Sequence, residues 1–170
     1  MVENKKIIPA NTFFSSETKK TNLIIVADNL KTPENMGAVI RIAGNFAAEK
    51  VIFINKESIN INKINRFSAS VANLVETHYI SDTNELKSFF DDSYKIICLD
   101  TEINANNITQ YKFPEKIVLV VGNEKHGISQ EILDIADESI FIPMIGKVKS
   151  MNVTHALVVA IYDYVKKSLF

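Results

Sequence analysis

The chain has 170 residues, which fits one domain with a sizeable interior, and 46% of them are hydrophobic, which excludes a disordered protein. Its formal net charge of −1 argues against a protein that coats nucleic acid through overall charge, but it leaves room for a local basic patch. No apolar run approaches the roughly 20 residues that cross a bilayer. The N-terminus lacks a signal-peptide core, and the single cysteine, Cys98, lies in an apolar run that predicts packing. These features predict a cytoplasmic protein without a membrane segment.

Strands and helices are predicted to alternate along the chain after a polar arm at 1–21, so that 22–170 form one domain. Short apolar runs predict strands, and apolar residues at helical spacing predict helices. In chain order the predicted elements are a strand at 22–29, a helix at 34–48, a strand at 50–55, a helix at 62–75, a strand at 76–80, a helix at 83–92 capped by Thr83, a strand at 94–100, a strand at 115–123, a helix at 129–137 capped by Ser129, a strand at 139–144 and a helix at 152–167 capped by Asn152.

Several of the predicted strands are apolar at every position, which is expected when both faces of a sheet are covered. The sequence therefore predicts an α/β fold with a mainly parallel six-stranded sheet and helices on both faces. In such sheets ligands bind beyond the carboxyl ends of the strands. The segments that follow strands are therefore the candidate site, and they are 27–37, 99–107, 122–129 and 142–152.

The segment after the first strand contains Asn35 just ahead of Met36, where the apolar spacing of the predicted helix begins, with Gly37 in the first turn and Arg41 beyond it. A small residue there is expected to let a ligand approach the N–H groups of the helix. The alternative for Arg41 is a surface ion pair with Glu34 or Glu49.

The segment after the fifth strand, VGNEKHGIS, carries Gly122 for a turn, Glu124 and His126 in a loop, and Gly127 before the next helix. It is neither a Walker A loop nor a G-x-G-x-x-G fingerprint, so a nucleotide triphosphate or nicotinamide site is unsupported. His126 is far in sequence from the other two histidines and no cysteine pair accompanies it, so no metal site is expected.

The segment GKVKSMNVTHAL, 146–157, concentrates Lys147, Lys149, Ser150 and Asn152 ahead of an apolar helix. A turn and a cap need only a glycine and Asn152, so the extra polar residues favour a functional site. The alternative is a structural cap with an upstream serine. A serine nucleophile is disfavoured because no nucleophile elbow or triad pattern surrounds Ser150.

Three of these segments, NMGAVIR, VGNEKHGIS and IPMIGKVKSMN, resemble in order and spacing the three motifs of the SpoU/TrmH family. These are S-adenosylmethionine-dependent RNA 2′-O-methyltransferases of the SPOUT class, and the resemblance runs from about Leu23 to Val165. It implies a deep C-terminal trefoil knot, a homodimer and active sites shared between subunits. It also implies that the donor, S-adenosylmethionine, contacts Leu99, Gly122, Ile142, Ser150 and Met151.

The resemblance also assigns catalytic roles. Arg41 would bind the phosphate beside the target ribose and stabilise the developing alkoxide, because a guanidinium is a poor base. Asn35 would orient Arg41 or the ribose, and Glu124 would orient the site and pair with a cation. Asn152, two residues after Ser150, would hold the loop and the substrate sugar. No metal is needed. A phosphate-binding rim would comprise Lys31, Arg41, Lys125, Lys147 and Lys149.

Only about 20 residues precede the first strand, as in small family members that act on tRNA, so the expected substrate is tRNA, with rRNA close behind. The main alternative is a non-catalytic RNA-binding or assembly protein that keeps the fold. Two further alternatives are a base-methylating SPOUT enzyme and an unrelated nucleotide-binding domain. The segment NMGAVIR disfavours the first, because Asn35 and Arg41 belong to the 2′-O-methylating group. The missing phosphate fingerprints disfavour the second.

Overall fold

A computed structural model describes 21–68, 71, 73–102, 104–148 and 150–169 of the chain. Within these ranges strands and helices alternate as predicted, and no helix is long and apolar enough to cross a membrane. The strands are β1 (Leu23–Asp28), β2 (Lys50–Ile54), β3 (Glu76–Ile80), β4 (Lys95–Leu99), β5 (Asn106–Asn107), β6 (Ile117–Val121) and β7 (Glu138–Phe141). The helices are α1 (Pro33–Asn45), α2 (Ile61–Ser68), α3 (Gln130–Leu133) and α4 (Val153–Leu169), with a 3-10 helix at Thr83–Phe89.

All described strands pair in parallel, in the order β3-β2-β1-β6-β4-β7-β5. Strand β6 lies between β1 and β4, and its sequence IVLVV is buried at every position because helices cover both faces. One buried cluster joins the sheet to α1, α2 and α4, and a second joins its other face to the 3-10 helix and α3. The predicted α/β class is confirmed, and the trefoil knot stays a prediction.

Strand β5 adds a seventh strand to the six that were predicted. It lies in the polar stretch 103–115, and its two residues are too few to show an alternating pattern. It extends the sheet beyond β7 through the pairing of Asn106 with Ile140. The arm at 1–20 lies outside the described residues, so the division into arm and domain stays a prediction, although Thr21 is buried against the end of α1.

Two helix predictions are wrong in detail. The segment at 83–89 is a 3-10 helix, and its cap is Asp82, whose side chain accepts a hydrogen bond from the N–H of Asn84, instead of Thr83. Aspartate caps as well as threonine does, so the sequence could not separate the two. Helix α2 ends at Ser68, and none of the described residues between it and β3 is α-helical.

The start of α1 also differs from the prediction. Thr32 is its cap, so Asn35 lies inside the first turn and not ahead of the helix. Gly37 is closed to any ligand, because a Cβ there would lie 2.5 Å from the Cβ of Phe67 and 2.8 Å from its carbonyl carbon. This glycine lets α1 and α2 pack closely. A glycine that serves helix packing and one that admits a ligand look the same in the sequence.

Candidate active site

The carboxyl ends of β4, β6 and β7 open into a cleft of about 620 Å³. Its floor includes Val121 and Phe141, and its two walls are residues 122–127 and part of 142–152. The cleft lies beside β6, which is inserted between β1 and β4. In parallel sheets a crevice that can hold a ligand forms at such points, beyond the carboxyl ends of the strands.

The structure brings all five predicted donor-binding residues to this cleft. Leu99 ends β4, Gly122 follows β6 and Ile142 follows β7, so three adjacent strands deliver them. Ser150 and Met151 lie on the opposite wall, just before α4. Their convergence follows from the parallel sheet, because the ends of parallel strands share one edge.

The wall at 122–127 is folded tightly back on itself. A Cβ on Gly122 would lie 2.3 Å from the carbonyl carbon of Gly127 and from the nitrogen of Ile128. Gly127 has a φ of +71°, a conformation that favours glycine. Asn123 and Gly127 exchange two backbone hydrogen bonds of 2.9 Å, which close a turn at 124–126.

Three predicted catalytic residues form a chain of polar contacts at the mouth of the cleft. The Nδ2 of Asn35 donates to Oε1 of Glu124 over 2.6 Å, and the Nδ2 of Asn152 donates to Oδ1 of Asn35 over 3.5 Å. The other oxygen of Glu124 accepts from the backbone N–H of Lys31 over 3.3 Å. Glu124 forms no ion pair with a lysine, arginine or histidine among the described residues, so its predicted pairing with a cation stays a prediction.

Asn152 caps α4, as the sequence predicts, and it also contacts Asn35. Its Oδ1 accepts from the backbone N–H of Thr154 over 2.8 Å and from the hydroxyl of Thr154 over 2.6 Å, so it caps α4. Its Nδ2 is left to contact Asn35. A side chain fixed in this way by its own helix is held in position at the cleft.

Arg41 does not line the cleft of its own chain. It lies six residues beyond Asn35 on α1, is exposed, and forms no ion pair within the part of the chain that the structure describes. The alternative pairing with Glu34 or Glu49 is therefore not present, and Glu49 instead accepts a hydrogen bond from Tyr94.

The predicted basic rim is brought together only in part. Lys31, Lys125 and Lys147 are exposed, and Lys125 lines the cleft itself. Lys149 lies outside the described residues. The described lysines leave their charges open to solvent, as a phosphate-binding surface requires.

Sequence reasoning missed three polar residues that shape the site. Asn123 is 8% exposed; its Oδ1 accepts from the backbone N–H groups of Lys125 and His126. Asp28 and Asp100 bond to the same loop from neighbouring strands. The available signal was a polar residue directly after an apolar strand, which reads equally well as a solvated turn.

The described ranges contain no group of three or more histidine, cysteine, aspartate or glutamate residues that could hold a metal ion. Cys98 is buried in β4, and burial, reinforced by the charges of Glu102, Asp100 and Asp28, raises the pKa of its thiol to about 12. Because the thiolate is the nucleophilic form, a thiol with this pKa is inert near neutral pH, in line with the predicted packing role.

Known proteins resemble this chain over most of its length. A model of the SpoU rRNA methylase family matches residues 22–162. The tRNA (guanosine(18)-2′-O)-methyltransferase of Aquifex aeolicus is 29% identical over 157 residues, which cover 86% of this chain and 70% of that protein. The tRNA (guanosine(18)-2′-O)-methyltransferase TARBP1 of Mus musculus is 27% identical over 152 residues, which cover 88% of this chain but only 10% of the mouse protein.

A solved structure agrees with these matches. The TrmH/SpoU tRNA-modifying enzyme of A. aeolicus superimposes with a TM-score of 0.75 at 27% identity, over 88% of this chain and 76% of that one. The fold and the cleft thus define a parallel α/β protein with a ligand site at the carboxyl edge of its sheet. The chain belongs to the SpoU rRNA methylase family, a family of S-adenosylmethionine-dependent RNA methyltransferases, and the predicted resemblance is confirmed.

The cleft fits the methyl donor that this family uses. Its volume of about 620 Å³ lies within the roughly 300–1,000 Å³ of small-molecule sites. Leu99, Ile142 and Met151 line the cleft and would hold the adenine through apolar contact. Met151 keeps 36% of its surface exposed, which is apolar area available to a ligand.

Proposed function

We propose that this chain transfers a methyl group from S-adenosylmethionine to a ribose 2′-hydroxyl of RNA. The observation that carries the proposal is that one cleft joins the five donor-binding candidates to the contact chain of Asn35, Glu124 and Asn152. Membership of the SpoU rRNA methylase family supports it, as does the name of the Aquifex relative, which specifies 2′-O-methylation.

The bound donor would supply an electrophilic methyl group carried on a sulfonium. The chain's own contribution is positioning, which can account for several kcal/mol of a barrier when the reacting atoms are held in line. Asn152 and Asn35 would hold the target ribose through their amide groups, and Glu124 would fix the orientation of Asn35. As the new oxygen–carbon bond forms, the bond between the methyl group and sulfur would break, its electron pair would return to the sulfur to give S-adenosylhomocysteine, and the hydroxyl proton would pass to water.

Arg41 would bind the phosphate next to the target ribose and stabilise the developing alkoxide, since a guanidinium stays protonated. Because Arg41 does not line its own cleft, the proposal includes a homodimer in which Arg41 of the partner subunit reaches it. The exposed face of α4 supports a dimer, since it presents Val158, Val159 and Tyr162 with 38%, 41% and 63% of their surfaces accessible.

The substrate that we favour is tRNA, because the Aquifex relative is named for a tRNA position. Ribosomal RNA is the second candidate, in keeping with the name of the family. The RNA backbone would follow the exposed lysines Lys31, Lys125 and Lys147 around the cleft, together with Lys149.

The test uses methyl-labelled S-adenosylmethionine with bulk tRNA and, separately, bulk rRNA. The chain has two arginines, Arg41 and Arg66, and Arg66 is exposed on α2 away from the cleft, so Arg66→Ala is a matched control for Arg41→Ala. We expect label in one pool, in a linkage that resists alkali at the modified nucleotide. Loss of a charge-stabilising group predicts a fall of about 10²–10³-fold for Arg41→Ala and about twofold or less for Arg66→Ala.

Two results would contradict the proposal. Label in a nucleotide whose 3′ linkage remains sensitive to alkali would indicate methylation of a base. Donor binding without transfer to either pool would favour the non-catalytic RNA-binding protein that keeps the fold.

A further inference from the structure

Two carboxylates flank the end of β6, one on each neighbouring strand. Asp28 is the last residue of β1, and Asp100 directly follows β4. Asp28 is only 1% exposed, and Asp100 is half-buried. Neither forms an ion pair with a lysine, arginine or histidine among the described residues. Burying two carboxylates close together is costly, so their hydrogen bonds must compensate for the lost contact with water.

The two carboxylates bind consecutive backbone N–H groups of the returning loop. Oδ2 of Asp28 accepts from the N–H of Ser129 over 2.7 Å, and Oδ2 of Asp100 accepts from the N–H of Ile128 over 3.2 Å. Their other oxygens are also used, because Asp28 accepts from the side chain of Asn29 and Asp100 from the N–H of Thr101, both over 2.6 Å. The loop at 122–129 is therefore held at its return point from both sides of β6.

The held point lies directly against the wall of the donor cleft. The nitrogen of Ile128 would be 2.3 Å from a Cβ on Gly122, so these two backbone segments are in contact. Any shift of the 128–129 segment would therefore displace Gly122 and, through the same short loop, Glu124. Hydrogen bonds to an ionised acceptor are about twice as strong as neutral ones, which gives a carboxylate an advantage over serine or asparagine at this point.

We infer that Asp28 and Asp100 form a carboxylate clasp that positions the donor-binding loop at 122–129. Both act as positioning residues, and Asp28 does so from outside the cleft, since it does not line it. The part of this inference that concerns the donor rests on the proposed function. The part that concerns the loop does not.

The diagnostic change is Asp28→Asn. The N–H of Ser129 and the side chain of Asn29 bind different oxygens of Asp28, and asparagine replaces one of those oxygens with an NH2 donor, so one of the two bonds is lost. The matched control is Ser129→Ala, because the buried hydroxyl of Ser129 has no hydrogen-bond partner among the described residues and the variant keeps the backbone N–H. Asp100→Asn tests the other half of the clasp and serves if the buried variant does not fold.

The first measurement is amide hydrogen exchange of the donor-free protein. We expect peptides that span 122–129 to exchange about tenfold faster in Asp28→Asn and in Asp100→Asn, with β2 peptides and the Ser129→Ala variant unchanged. Exchange at wild-type rates in both variants would overturn the clasp. Equal acceleration of the loop and β2 would overturn it too, because it would show a general loss of stability.

The second measurement is calorimetric binding of S-adenosylmethionine and of S-adenosylhomocysteine, which lacks the positive sulfonium. Displacement of the loop should raise both Kd values by a similar factor, about tenfold, in Asp28→Asn. Weaker binding of the cationic ligand alone would overturn positioning in favour of a direct charge effect. If the wild-type protein binds neither ligand, the proposed function fails, while the exchange measurement still decides the clasp.

Discussion

The two loops that face each other across the cleft are built in different ways. The loop at 122–129 is tied down by Asn123, Asp28 and Asp100, and its only large apolar residue, Ile128, is 6% exposed. In the opposite loop, no hydrogen bond joins 142–148 to another described residue, and Ile145 is fully exposed.

This difference indicates that the chain holds one wall of the site in place more firmly than the other. A wall with many internal bonds resists displacement, whereas a segment with few buried contacts opens at low cost. Val148 and Met144 also expose 69% and 39% of their surfaces, so the second wall presents apolar area that a ligand or the proposed partner subunit could cover. Paired substitutions, one in each loop, can break or sharpen the contrast.

The largest expected effect concerns an isoleucine in each loop. Ile128→Ala should lower the free energy of unfolding by about 2–4 kcal/mol, because the side chain is buried in the second core cluster and a cavity would remain. Ile145→Ala removes a side chain that touches little and should change it by no more than about 0.5 kcal/mol. Chemical denaturation of both variants measures the difference, and equal losses would show that the loops are not built differently.

A glycine pair tests the effect on the donor. Gly122→Ala places a methyl group 2.3 Å from backbone atoms that cannot yield without moving the loop, and we expect donor affinity to fall by about 100-fold. Gly146→Ala adds the same methyl group in the opposite loop, where no described residue beyond the chain neighbours of Gly146 comes within 4 Å of it, and should change affinity by about twofold or less. Calorimetric titration with S-adenosylhomocysteine measures the affinity of both variants. A Gly122→Ala variant that binds like the wild type would show that this wall is more pliable than its contacts indicate.

The sequence was sufficient to predict the sheet and the place of the site. Unbroken apolar runs such as IVLVV are typical of strands covered on both faces, and every predicted strand is present. Once strands are parallel, their following loops must share an edge, so Leu99, Gly122 and Ile142 could be expected to meet. The meeting of these loops follows from periodicity and topology, whereas the choice of Leu99, Gly122 and Ile142 as donor contacts came from the resemblance to the SpoU/TrmH family.

The hydrogen bonds that hold the loop at 122–129 could not be predicted in the same way. Asp28 and Asp100 follow apolar strands, and nothing in their spacing distinguishes a buried acceptor of backbone N–H groups from a solvated turn residue. The prediction that Gly37 admits a ligand failed for a related reason. Its neighbour Phe67 is 30 residues away in sequence, and only the packing of the two helices reveals the contact. The roles of Asp28, Asp100 and Gly37 depend on contacts with residues far away in sequence, which the local residue types do not indicate.

The smallest expected effect concerns one lysine in each loop. If RNA phosphates pass both walls, Lys125→Ala and Lys147→Ala should each reduce the salt dependence of bulk tRNA binding by about one unit of log Kd against log salt. Lys63→Ala, an exposed residue of α2 away from the cleft, should leave the slope unchanged. A change for Lys125 alone would confine the RNA to the bonded wall and sharpen the contrast between the loops. No change for either would remove both lysines from the RNA path, because a charge that neutralises a phosphate must release counterions.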